Sequence, residues 1–390
     1  MRIGVLAYTF YESDNRVMRY AETLSARGDR VDVFALRRKG QPQYEKIGNI
    51  NLYRIQEREL NEKSQLNYFV RLIKFLMRSS YFVTKMHLKD PYDLIHVHSV
   101  PDFEVFAAFL PKIMGARLIL DIHDLVPEFY LNKFPNETLL NRVFYNLLLL
   151  AEKVSIRFAD HVIISNHIWK ERILERSVIP EKCTVILNYP DTTIFRRVHK
   201  KKQNNNFVIL YPGTINEHQG LDLAVKAFSK VAENIPNAYF YIYGDGPSRH
   251  AIERLVNELK LNDRVVLRKP ISIKKIAKIM AQADLGIIPK RNDGFGGEAF
   301  STKSLEFMSL GIPIVISRTK IDNYYFNDSV VRFFEPGNVD DLAKAILEML
   351  ENEEMRSQLA KRASQFVKRY LWESNKHIYL DLVDRLVAKN

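Results

Sequence analysis

The chain has 390 residues, enough for two domains that each bury a core; 46% are hydrophobic and 27% charged, without a low-complexity segment or a fixed-period repeat. That excludes a disordered or fibrous protein, and the single cysteine, Cys183, excludes an internal disulfide and a cysteine-built metal cluster. The formal net charge of +12 points to an anionic partner: nucleic acid, an anionic membrane surface or a phosphorylated substrate.

The opening MRIGVLAYTF carries one Arg and a short apolar run that turns polar at YESDNR, the pattern of a first strand and not of a signal peptide. No apolar stretch, including the one around Leu147 to Leu150, approaches the roughly 20 residues of a membrane span. The expected location is the cytoplasm. Strands are expected at Arg2 to Tyr8, Arg30 to Ala35, Leu94 to His98, Arg117 to Ile122, His161 to Ser165 and Thr184 to Leu187. Between them, helical spacing marks Arg16 to Ala26, Gln65 to Leu88 and Leu139 to Phe158.

A polar, basic run from His199 to Asn206 then reads as the boundary between domains 1–200 and 206–370. Beyond it come strands at Phe207 to Tyr211, Ala238 to Tyr243, Arg264 to Arg268, Leu285 to Pro289, Ile314 to Ser317 and Val331 to Phe334. A helix opens at Asn338, and the tail continues as helical segments over Glu354 to Tyr370 and Glu373 to Leu386. Strands alternating with helices give an α/β fold of two doubly wound parallel sheets, with a cleft expected between the domains.

Ligands of such sheets bind at the carboxyl ends of strands, where helix N-termini favour anions. The first strand-to-helix loop lacks GxGxxG, and no Walker A motif occurs, so a dinucleotide site of the usual kind is not expected. The second half offers PGTINEHQG with Gly213, YGDGP with Gly244 and Gly246, and NDGFGGEAFSTKSLE, each with glycine where a backbone must approach a ligand closely. In the last of these Glu298 lies in the loop, and Glu306 lies in a helix that opens near Ser301 and Thr302, roughly 6 to 8 Å from its start. That span suits a nucleoside diphosphate: phosphates on the N–H groups beside Phe300, Ser301 and Thr302, Lys303 next to them, and Glu306 on the ribose. Glu298 would hold the sugar. The plainer alternative makes Glu298 a solvated loop residue and Glu306 a surface ion-pair partner.

These residues resemble a known family. Glu298, seven residues, Glu306 and then the GIPIV strand resemble the signature of the retaining GT-B glycosyltransferases of family 4. GTINEHQGLDLAVKAF, YIYGDGP and the terminal LWESNKHIYLDLV resemble further segments of that family, and together they cover nearly all of the second domain. The resemblance implies a GT-B fold of two Rossmann-like domains, a nucleotide-diphosphate sugar as donor and retention of configuration. It also implies a C-terminal helix, about 371–390, packed back on the acceptor-binding first domain. Where the family commonly has an Arg and a Lys on the diphosphate, this chain has Thr214 and Gln219; Lys303 resembles a variant in which a lysine ahead of the helical glutamate supplies that charge. HDLVPEFY resembles the loop that carries a histidine near the sugar, which makes His123 a catalytic candidate with Glu298 and places Asp124 beside it. The segment Tyr11 to Arg16 and His98 in HVHS also end strands that face the same cleft, so Asp14, Asn15, Arg16, His98 and Asp124 are the acceptor-side candidates; Ser13, Asp14 and Asn15 stand where the family has its first glycine pair.

No Asp-x-Asp pair is present to hold a metal, so no cofactor and no metal are expected. The expected acceptor is a saccharide or a lipid-linked saccharide of cell-surface polysaccharide or glycolipid synthesis. The segment Asn67 to Lys89 mixes Phe, Leu and Tyr with Arg and Lys at helical spacing; it reads as a core-facing helix or as one lying on an anionic membrane at the inner face. Nucleic acid is not expected, because no aromatic stacking motif accompanies the charge. Two other readings remain: a sugar-nucleotide epimerase of the same architecture, and a non-catalytic nucleotide-sugar binding protein.

Overall fold

The computed structural model describes residues 1–58, 65–134, 138–198 and 205–388. Residues 199–204 of the polar run fall outside them. Two compact units emerge: Met1–Asn188 with Lys376–Asn390, and Tyr189–Asn375. The change of unit thus falls at Asn188, ahead of the polar run that the sequence marks, and again inside the last helix.

The first unit is built on an eight-stranded sheet. Its strands are β1 (Arg2–Ala7), β2 (Arg30–Arg37), β3 (Tyr44–Ile47), β4 (Ile50–Glu57), β5 (Leu94–His98), β6 (Arg117–Ile122), β7 (His161–Ile164) and β8 (Cys183–Val185). They lie in the order β3-β4-β2-β1-β5-β6-β7-β8, parallel throughout except for β3 against β4. The sequence reading lacks β3 and β4. β3 is an exposed edge strand, Tyr-Glu-Lys-Ile, without alternation to mark it. β1, β5, β6 and β7 are buried almost end to end, as parallel strands covered on both faces require. Into that apolar run the sequence inserts His96, His98 and Asp121, all fully or nearly fully buried.

The crossovers are α1 (Asn15–Arg27), α2 (Gln65–Lys89), α3 (Phe109–Ile113), α4 (Val126–Lys133), α5 (Leu139–Phe158) and α6 (His167–Arg176). Asp14 starts α1 by accepting from the N–H groups of Arg16 and Val17, and Gly28 ends it at φ 100°.

The second unit has β9 (Phe207–Pro212), β10 (Ala238–Tyr243), β11 (Val265–Arg268), β12 (Leu285–Ile288), β13 (Ile314–Ser317) and β14 (Arg332–Phe334), ordered β11-β10-β9-β12-β13-β14 and all parallel. Around them run α7 (Leu221–Asn234), α8 (Arg249–Glu258), α9 (Ile273–Met280), α10 (Thr302–Leu310), α11 (Lys320–Tyr325), α12 (Val339–Glu351) and α13 (Glu353–Phe366). The chain closes with α14 (Trp372–Val387), whose residues from Lys376 belong to the first unit, where the Tyr379 ring lies 4.3 Å from Tyr20.

In each sheet the strand order reverses once, beside β1 and beside β9. Those are the points where adjoining crossovers leave on opposite faces and loops splay apart to leave room for a ligand.

Candidate active site

In the second unit the switch point lies between β9 and β12, so the loops 213–220 and 289–301 meet there. Their approach is too close for side chains. A Cβ on Gly220, at φ 65°, would stand 2.0 Å from the Pro289 carbonyl oxygen. The N–H of Arg291 donates to the His218 carbonyl at 2.9 Å, and the Arg291 guanidinium bonds Asp222 at 2.7 Å. Gly244 and Gly246 serve the same packing from the next strand: a Cβ on either would collide with the backbone of Gly213 or Ile215, at 1.8 and 2.5 Å. These two glycines thus seat loop 213–215 by close backbone approach.

On this seat stands the N-terminus of α10. Ser301 is its N-cap residue, but its side chain accepts no hydrogen bond from the helix, and the buried Ser301 and Ser304 hydroxyls find no partner among the described residues. The N–H of Ser304 closes onto the Ser301 carbonyl at 3.1 Å, and the first turn keeps the N–H groups of Thr302 and Lys303 and two hydroxyls for something else. Lys303 leans across to Gln219, its Nζ 3.3 Å from Oε1 and 5.1 Å from the Tyr211 ring centre, and a Cβ on Gly213 would be 3.0 Å from that Nζ. Tyr211 completes the cluster by donating to the Thr214 carbonyl at 2.8 Å. Burial pushes the Lys303 ammonium down to about 8 although Glu306, one turn along α10, works the other way. A cation kept partly desolvated beside unused helix N–H groups has the chemistry to hold an anion. The structure thus brings Gly213, Thr214, Gln219, Ser301, Thr302, Lys303 and Glu306 together; Phe300 packs edge-on to Tyr325, 4.8 Å between ring centres.

Glu298 ends the glycine-rich loop nearly buried, with Lys320 Nζ 3.0 Å from its Oε1. What holds that loop is a residue the sequence reading passes over. Lys290, 1% exposed, bonds the Ala299 carbonyl at 2.8 Å and Asp322 Oδ2 at 2.8 Å, and the Ile321 N–H bonds the Gly297 carbonyl at 2.9 Å. A lysine at the end of the fully apolar strand LGII is the signal that marks it.

In the first unit the switch point lies beside β1, and the loops after β1, β5 and β6 carry the acceptor-side candidates. Arg16, 2% exposed, forks onto both oxygens of Asp121 at 2.8 and 2.7 Å and gives its remaining nitrogen to the Ile186 carbonyl at 2.8 Å. Its donors are committed to the scaffold, and Asp14 gives one carboxylate oxygen, Oδ1, to the cap of α1. The Arg16 guanidinium is thus not left to hold an acceptor, contrary to the sequence expectation, because a buried guanidinium has to be paired. Burial alone would raise the Asp121 carboxyl, but Arg16 and His123 outweigh it and hold it well below the usual carboxylate range. His98 lies beneath His123, Nδ1 3.0 Å from Nε2, with its proton affinity lowered well below normal by burial and by neighbouring His96. His123 Nε2 is itself 3.5 Å from Asp121 Oδ2. Only His123, half-buried, reaches the surface of this stack; Asn15 is half-buried and Asp124 exposed.

His96, His98 and Asp121 place ligand atoms within 4.8 Å of one another. A cation there would compete with the Arg16 fork for the same two carboxylate oxygens, so the cluster fits a hydrogen-bonded support for His123 better than a metal centre.

Two family models divide the chain between them: "Glycosyl transferase 4-like domain" matches residues 13–189, and "Glycosyl transferases group 1" matches residues 191–366. The chain is a group 1 glycosyltransferase. Among its relatives, α-D-kanosaminyltransferase of Streptomyces kanamyceticus is 25% identical over 283 residues, which are 69% of this transferase and 71% of that protein. Sucrose-phosphate synthase from Thermosynechococcus elongatus has a similar structure at TM-score 0.81 and 19% identity, with each chain covered completely. The Anabaena protein HepE, solved in complex with UDP and glucose, matches at TM-score 0.72 and 17% identity over 98% of this transferase and 100% of that chain. At such identities the structural likenesses show the fold, GT-B, and no more.

Proposed function

We propose that this enzyme transfers a sugar, with retention of configuration and without a metal, from a nucleotide-diphosphate sugar to a saccharide or lipid-linked saccharide acceptor in the cytoplasm. The observation that carries the reading is the start of α10, where unused N–H groups, two unpartnered hydroxyls and the Lys303 ammonium converge. Diphosphate oxygens would occupy that start. Glu306, four residues into the helix and so about 6 Å along it, would accept from the ribose hydroxyls. Glu298, on the loop held by Lys290, would position the sugar, and His123 would bond a hydroxyl of sugar or acceptor.

As the bond from the anomeric carbon to the phosphate oxygen breaks, its electron pair stays with the diphosphate, and the helix start and Lys303 stabilise that growing charge. The acceptor hydroxyl attacks on the same face and passes its proton to the leaving phosphate. Configuration is then retained without a protein nucleophile.

The test is a turnover and thermal-shift screen against UDP-, GDP- and ADP-sugars in the presence of a chelator, with Glu306→Ala as control. One nucleotide should raise the melting temperature and be slowly hydrolysed, with both effects lost in the variant. Activity that appears only on adding a divalent metal, or a product of inverted configuration, would overturn the corresponding part. Interconversion of free sugar nucleotides without an acceptor would favour an epimerase instead.

A further inference from the structure

The exposed apolar side chains are not scattered. Of the 27 large hydrophobics exposed among the described residues, 19 lie on or directly after α2, α3, α4 and α5. The crossovers from β4 to β5, β5 to β6 and β6 to β7 all step the same way along the sheet, so right-handed connection puts these helices on one of its faces. Single exposed apolar residues are ordinary on a soluble surface, whereas a whole layer of them is not.

α2 shows the pattern most clearly. Leu72, Phe75, Ser79 and Val83 face the core, while Phe69, Ile73, Met77 and Tyr81, four residues apart, form an exposed apolar stripe at 38 to 66% accessibility. Beside that stripe run Arg71, Lys74, Arg78 and Lys85. The charge of the layer is one-sided: α2 carries five Lys and Arg and no acid, and α3, α4 and α5 carry five more. Their two acids, Glu128 and Glu152, are both buried against Arg176. The cationic side of α2 also walls a cavity of about 900 Å³ that includes Arg37 and Arg54.

We propose that this face of the first unit lies on an anionic lipid bilayer, with the apolar stripes among the acyl chains and the lysines and arginines at the headgroup phosphates. Charge selects this occupant. Even with Lys112 paired to Asp160, a second copy of the chain laid face to face would set like cations against each other, whereas an anionic leaflet neutralises them. No described helix is long and apolar enough to cross a membrane, so the contact is peripheral. The proposal rests on the functional reading only in giving a lipid-linked acceptor its location.

The experiment is sedimentation of the full chain with phosphatidylcholine vesicles, with and without phosphatidylglycerol, at low and high salt. The protein should pellet with the anionic vesicles and be released by salt. Lys74→Gln with Lys85→Gln should weaken partitioning roughly thirtyfold, about fivefold for each cation at an anionic leaflet. Ile73→Ser with Met77→Ser should weaken it at least about tenfold through lost apolar burial. All four residues are exposed, so the unfolding midpoint and donor binding should stay unchanged in both variants. Wild-type protein that remains in the supernatant at low salt, variants that bind as well as wild type, or a dimer broken by Ile73→Ser with Met77→Ser would overturn the proposal. Donor binding on the same samples keeps the two readings apart, since its failure alone would strike the transferase site and leave docking intact.

Discussion

Two demands on Lys303 pull against each other: the proposed donor site needs it as a cation, and burial lowers its proton affinity to about 8. A diphosphate arriving beside it restores the full affinity, so donor binding and proton uptake are linked. Below pH 7 the lysine is already charged and binding should not vary with pH on its account. Above pH 8 the free enzyme loses the proton, and donor affinity should fall by up to about tenfold per pH unit. Titration calorimetry at pH 8 to 8.5 in buffers of different ionisation enthalpy should register a fraction of a proton taken up per donor bound; none would mean that Lys303 does not meet the phosphates. Lys290 makes the complementary case, because its ammonium is the partner of buried Asp322. Lys290→Met should cost about 3 to 5 kcal/mol of stability, measured by urea unfolding, since it leaves that carboxylate unpaired. It should also raise the donor Michaelis constant through the loosened Glu298 loop.

At the scale of elements, the glycine-rich loops were legible and their division of labour was not. The sequence assigns Gly213, Gly244 and Gly246 alike to a ligand. In the fold Gly213 borders Lys303, while Gly244 and Gly246 are required by backbone-to-backbone approach, a pairing that depends on which strands become neighbours. Gly220→Ala should therefore damage donor binding and stability together, since both its positive φ and the Pro289 carbonyl reject a methyl group. The structural role of Arg16 was hidden for a related reason. Arg16 and Asp121 are 105 residues apart, and no local pattern announces that they form one buried pair. Asp121 itself, an acid inside RLILDI, was the readable clue. The segment Asp102–Ala108, a 3-10 helix after β5, holds a further buried acid, Glu104, bonded by the Ser79 hydroxyl. Burial pushes its carboxyl up to about 8. Because the folded value lies above the unfolded one, its contribution is fully present below about pH 4.5 and is lost as pH rises through 8. Unfolding midpoints of wild type should thus fall between pH 5 and 8 more steeply than those of Glu104→Gln.

For the whole molecule, two doubly wound sheets could be read from alternating strands and helices, because buried parallel strands announce themselves as apolar runs. The unit boundary was less readable, since what fixes it is the packing of residues such as Asn188, which bonds Arg16, and not the polarity of a later run. The tail joins the first unit through Tyr379, whose buried hydroxyl lies 2.9 Å from His96 Nδ1 in the cluster beneath His123. Tyr379→Phe should lower the stability of that unit by about 1 to 3 kcal/mol, and the donor-induced thermal shift of the second unit should survive.

The central claim is that the start of α10, with Lys303 and Glu306, is the donor site. It is tested most directly by calorimetric titration of UDP, GDP and ADP into wild type, Lys303→Ala and Glu306→Ala at pH 7 with a chelator present. One nucleotide should bind wild type, and Lys303→Ala should weaken it by about 1.5 to 3 kcal/mol, the worth of a charged hydrogen bond. Binding of equal strength in all three proteins, or of no nucleotide by any, would contradict the account.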